Sequence, residues 1–74
     1  MIEVFGLKIP VIFSDGEDGY VLAKCPVLPG CVSQGKTIDE AKHNIIEAIE
    51  GVISVRREMG LPDVEPMTEV EVVL

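Results

Sequence analysis

The stretch TIDEAKHNIIEAIEGVISVRREMG, residues 37–60, decides how the rest of the chain is arranged. Ile38, Ala41, Ile45, Ala48, Ile49 and Val52 recur at three- and four-residue spacing, and Ile46 and Ile53 widen the row. That period places them on one stripe of an α-helix, and a stripe this apolar packs against a core. Thr37 offers an N-cap oxygen, and Glu40, three residues on, completes a capping box. Arg56 and Arg57 fall in the last turn, where the negative end of the helix dipole favours cations, and Gly60 ahead of Pro62 is a stop. Gly51 costs about 1 kcal/mol against alanine inside a helix, which points to close backbone packing there.

Upstream, the pattern changes to strands. Residues 2–5 read as a weak edge pairing, and Leu7–Phe13 as a strand with Leu7, Ile9, Val11 and Phe13 on one side and Lys8, Pro10 and Ile12 on the other. Pro10 has no N–H to give a ladder, so this strand belongs at an edge or carries a bulge. SDGEDG, residues 14–19, is a turn into the returning strand Tyr20–Cys25, where Tyr20, Leu22 and Lys24 alternate with Val21, Ala23 and Cys25. PVLPG ends the ladder, and Cys31–Gln34 resumes as a third strand. After the helix and the LPDVEP loop, Thr68–Leu74 alternates Val70, Val72 and Leu74 with Glu69 and Glu71, the pattern of a final strand.

The expected fold is therefore α+β, in the order β-β-β-α-β, with one long helix packed on one face of an antiparallel-rich sheet. Four strands nearly 5 Å apart are wider than one helix of about 10 Å. The opposite face still carries Ile12 and Leu22, so a homo-oligomer, a dimer or higher, is expected to cover what the helix does not.

A chain of 74 residues is expected to form one domain over residues 1–74, since it buries only about 60% of its extended surface. Thirteen acidic against six basic residues give a net charge of −7. That charge repels nucleic acid and anionic membranes and attracts a basic protein. The N-terminus MIEVFGLKIP lacks the basic and long apolar regions of a signal peptide, and no run approaches the roughly twenty apolar residues of a spanning helix, so the expected location is the cytoplasm. Cys25 and Cys31 are too few for a disulfide framework and read as buried thiols, and with His43 they match no usual zinc spacing.

No catalytic set emerges. His43 lies between Lys42 and Asn44 on the polar side of the helix, and the acids at 15, 17, 18, 39 and 40 have places in a turn and a cap. Gly30 and Gly35 match neither a P-loop nor a dinucleotide fingerprint, and Arg56 and Arg57 read as helix-end charges rather than phosphate ligands. No catalytic residue, cofactor or metal ligand is assigned. The enzymatic alternative is a metal-dependent nuclease built on Asp15 or Asp18, and the other alternative is an oligomeric protein-binding module of unknown role.

EDGYVLAKCPVLPGCVSQGKTIDEAKHNIIEAIE, residues 17–50, closely resembles the HicB-like antitoxin family. The shared features are Glu17-Asp18-Gly19-Tyr20, Cys25-Pro26, Leu28-Pro29-Gly30-Cys31, Ser33-Gln34-Gly35, and Thr37 followed by Glu40-Ala41, Asn44-Ile45 and Glu47-Ala48-Ile49. The resemblance implies a partial ribonuclease-H-like fold without nuclease function. It further implies a non-enzymatic antitoxin that binds and neutralises a small basic, mRNA-cleaving toxin. By the same resemblance Glu17, Asp18 and Tyr20 are the candidate partner contacts. Many members carry a C-terminal DNA-binding domain, and this sequence reads as the short form without one.

Overall fold

Helix α1, Ile38–Glu58, forms as its periodicity requires in the computed structural model, which describes residues 1–65. Thr37 Oγ1 accepts from the Glu40 amide at 3.1 Å, which closes its half of the capping box. At the other end Gly60, at φ +73°, donates to the Arg57 carbonyl and Leu61 to that of Arg56, the paired bonds of a Schellman stop.

The buried face is a row at four-residue spacing, Ala41, Ile45, Ile49 and Ile53, all sealed from solvent. Each of the three isoleucines contributes up to about 1.5–3 kcal/mol by leaving water. Ile46, Ala48 and Val52 are its half-buried shoulders. Ile38, expected on the same stripe, is instead 60% exposed. It is the first residue of the helix, two positions ahead of the close approach where a Cβ on Gly35 would meet the backbone of Glu40 and Ala41. Gly51 is also exposed, with open space around it, so close packing is not why it is tolerated.

Five strands precede the helix. β1, Ile2–Val4, and β2, Leu7–Ile9, pair antiparallel through a two-residue turn, Phe5-Gly6, in which both residues have positive φ. β3, Ile12–Asp15, β4, Val21–Lys24, and β5, Val32–Gly35, form a second antiparallel sheet in the order β3-β4-β5. The expected continuous strand Leu7–Phe13 is thus two strands in two sheets. Pro10, lacking an N–H, stands at the break between them. Residues 2–5, read as a weak edge, are half of a true hairpin. The expected strand Thr68–Leu74 lies outside the described residues.

Antiparallel sheets with one long helix make the architecture α+β, as expected. α1 lies over β5 and β4 and reaches β1. Ala23, Cys25 and Cys31 fill the space beneath it together with Ile9 and Leu28. The two thiols are free and buried. Burial pushes both above the ordinary thiol range, so both stay protonated and inert at neutral pH. β3 lies beyond the helix's cover, which leaves Phe13 37% exposed although it shares the helix side with Ala23.

The arginines at the end of α1 are structural, as the sequence suggests. Arg56 is buried; its Nε donates to the Pro62 carbonyl at 2.7 Å and its Nη2 to Glu65 Oε1 at 3.0 Å. Arg57 donates twice to the Asp63 carboxylate, at 2.8 Å each, and its guanidinium lies 5.1 Å from the centre of the Phe5 ring. These contacts tie the β1–β2 hairpin and the exit loop to the helix end. The hydrogen bond from Arg57 holds the Asp63 carboxyl below its usual range. A depressed carboxyl stabilises the folded form above the unfolded pKa, and that contribution is lost as pH falls through the folded value. An NMR titration of the Asp63 side-chain carbon is expected to give a midpoint below that of the same residue in the unfolded chain. Replacing Arg57 with glutamine should return it toward the unfolded value.

Candidate functional site

The acidic turn owes its shape to two backbone hydrogen bonds. The Gly16 amide donates to the Tyr20 carbonyl at 2.7 Å, and the Tyr20 amide to the Glu17 carbonyl at 3.1 Å. Between them Glu17–Gly19 makes a short 3-10 turn with Asp18 at φ +56°, a left-handed conformation that Asp adopts more readily than most residues. The turn therefore presents Glu17 and Asp18 at a fixed place beside the start of β4.

Strand alternation supplies the rest. Ala23, buried against the helix, sets the parity of β4, so Tyr20, Leu22 and Lys24 belong to the outer face of the sheet. Register then aligns Ser14, Leu22 and Gln34 in one cross-strand row and Ile12, Lys24 and Val32 in the next. Gln34 is held in place because its carbonyl accepts from Asn44 Nδ2 at 2.8 Å, which links β5 to α1.

The three residues singled out from the sequence come together. Glu17, Asp18 and Tyr20 line a concavity of about 420 Å³ with Leu22 and Gln34. Next to it Ile12 and Val32 are 55% and 53% exposed, so the acidic hollow adjoins an apolar strip. Sequence reading placed Ile12 and Leu22 on this face but missed Gln34 and Val32. Both follow from the parity of Cys31–Gln34, once the pairing of β5 with β4 is known. Asp15 does not join the group; it pairs with Val21 and belongs to the helix side.

For chemistry the arrangement offers little. Among the described residues, no three His, Cys, Asp or Glu side chains are grouped as a metal site. His43 Nε2 lies 3.2 Å from Glu47 Oε1, an exposed pair one helical turn apart. A second hollow on the helix is mostly apolar, lined by Ala48, Gly51, Val52 and Val55 with Glu47 and Arg56. What the outer sheet face can do is bind: it combines two carboxylates, an aromatic ring, an amide and apolar side chains on a rigid sheet.

The family described as HicB_like antitoxin of bacterial toxin-antitoxin system matches residues 9–73. A UPF0150 protein of Thermoplasma acidophilum is 51% identical over 47 residues, covering 64% of this chain and 68% of the relative. A UPF0150 protein of Archaeoglobus fulgidus is 39% identical over 51 residues, or 69% of this chain and 74% of its own. One from Synechocystis is 39% identical over 59 residues, or 76% and 82%. No solved structure matches the chain.

Proposed function

The chain belongs to the HicB-like antitoxin family of bacterial toxin–antitoxin systems, and from that footing we propose that it neutralises a small basic, mRNA-cleaving toxin by covering the surface that admits RNA. The observation that carries this reading is the hollow of Glu17, Asp18, Tyr20, Leu22 and Gln34 beside exposed Ile12 and Val32. Carboxylates at its rim, within a chain of net charge −7, steer a cationic partner into encounter. Tyr20 and the apolar strip then supply contact area that water must leave. Occlusion needs no reacting group on the antitoxin, so the protein acts by binding and not as an enzyme.

The same proposal places the protein in the cytoplasm, where mRNA is the toxin's target. Among the described residues no helix is long and apolar enough to cross a membrane. It also treats the sheet as a relic of a ribonuclease-H-like fold, and the outer sheet face as a surface through which the chain self-associates.

The test is capture of partners by the full chain from a lysate of its native cell, with identification by mass spectrometry. A small basic ribonuclease is expected, released as salt is raised because steering between exposed charges is screened beyond about 10 Å at 0.1 M. Recovery of the chain alone would remove the toxin from the proposal.

A further inference from the structure

The outer sheet face carries its own complement. At one end of β4 stands the Glu17–Asp18 tip with Tyr20; at the other stands Lys24, between Ile12 and Val32 in the same cross-strand row. Among the described residues no carboxylate pairs with Lys24, and no cation pairs with Glu17 or Asp18. Unlike charges are thus held apart on one rigid surface, with Leu22 midway between Tyr20 and Lys24. Four residues of strand separate the two ends by about 13 Å.

We propose that a second copy of this chain covers the face, the two β4 strands running antiparallel, with Lys24 of each copy seated in the Glu17–Asp18–Tyr20 hollow of the other. A two-fold axis lying between the sheets and crossing β4 at Leu22 brings the two Leu22 side chains together. It also exchanges the acidic end with the basic one. Sheets packed face to face stand about 10 Å apart, a gap that side chains from both faces fill. The lysine stem lies along the Tyr20 ring while its ammonium meets the carboxylates. Ile12 and Val32, flanking each Lys24, are covered in the same step and keep water from the ion pair. The closed symmetry makes every contact twice, so one favourable pairing counts double. Packing in the same orientation, with the strands parallel, would oppose Lys24 to Lys24 and tip to tip, which like-charge repulsion rejects.

This deepens the self-association reading and is independent of the toxin. The dimer and a toxin complex are alternative states of one surface, and the test uses the purified full chain with no toxin present. Sedimentation equilibrium at micromolar concentration and low salt is expected to show a dimer for the wild type. Lys24→Glu and Glu17→Lys, both at exposed positions, should each weaken self-association at least tenfold, because each opposes like charges at both contacts. An equimolar mixture of the two variants should recover the dimer, since Glu at 24 then meets Lys at 17 and the second contact is native. A monomeric wild type, variants that dimerise as the wild type does, or a mixture that stays monomeric would each overturn the proposal. Unchanged circular dichroism confirms that the variants are folded.

Discussion

Ile45→Asp is expected to leave the chain unfolded at room temperature. Ile45 has no solvent exposure and sits at the centre of the row that α1 buries against β4 and β5. Truncating such a side chain alone costs about 2–5 kcal/mol, and an uncompensated carboxylate in its place adds several more. Against this, a chain of 74 residues has a total stability of only about 4–11 kcal/mol at typical values per residue. Protonating the aspartate would lessen the charge cost but leave a polar group without partners. Circular dichroism should show the helical signal and the cooperative thermal transition lost together. Lys42→Asp, three residues earlier on the exposed side, should melt within a few degrees of the wild type. A native-like transition for Ile45→Asp would mean that α1 buries a different face.

The second large effect is expected at Gly35. A Cβ built there would lie 2.4 Å from the Ala41 nitrogen and 2.8 Å from the Glu40 carbonyl carbon, both backbone atoms in the first turn of α1. Backbone cannot swing aside as a flexible side chain does, so the helix start would have to lift from β5. Gly35→Val should cost about 3 kcal/mol, the upper end of the range for overpacking. In a domain of this size that lowers the melting temperature by on the order of 15 °C. Gly51→Ala is the contrasting case: with open space at its Cβ position, it should stabilise by about 0.5–1 kcal/mol through helix propensity alone.

The helix was legible because its signals agree and each is local: apolar spacing, Thr37 at the cap, arginines in the last turn and Gly60 at the stop each act over three or four positions. Gly35 was not legible as a contact, since the close approach involves a residue six positions away across a turn. The β1–β2 hairpin was obscured by its turn. Phe5-Gly6 adopts the conformation that Asn-Gly usually signals, with Phe5 at φ +51° and its ring under Arg57. Ile38 fitted the helical period, yet it is the first residue of the helix and stands ahead of the approach to Gly35, a position that periodicity does not encode. The break at Pro10 was half visible: a missing donor marks a fault in a ladder without saying that the chain then joins a different sheet.

The candidate site divides the same way. Glu17, Asp18 and Tyr20 were singled out by the family resemblance, while the local alternation of β4 put Leu22 on the same face as Tyr20. Gln34 and Val32 join them through the β4–β5 register, and Lys24 gains its meaning only once its distance from the acidic tip is fixed along a strand.

The most direct test of toxin occlusion is a titration of RNA cleavage by the captured ribonuclease with the purified full chain. Cleavage should fall in proportion to added protein and vanish near one binding equivalent, with RNA and this chain competing for the toxin. A ribonuclease that binds the chain yet cleaves RNA at an undiminished rate would contradict occlusion.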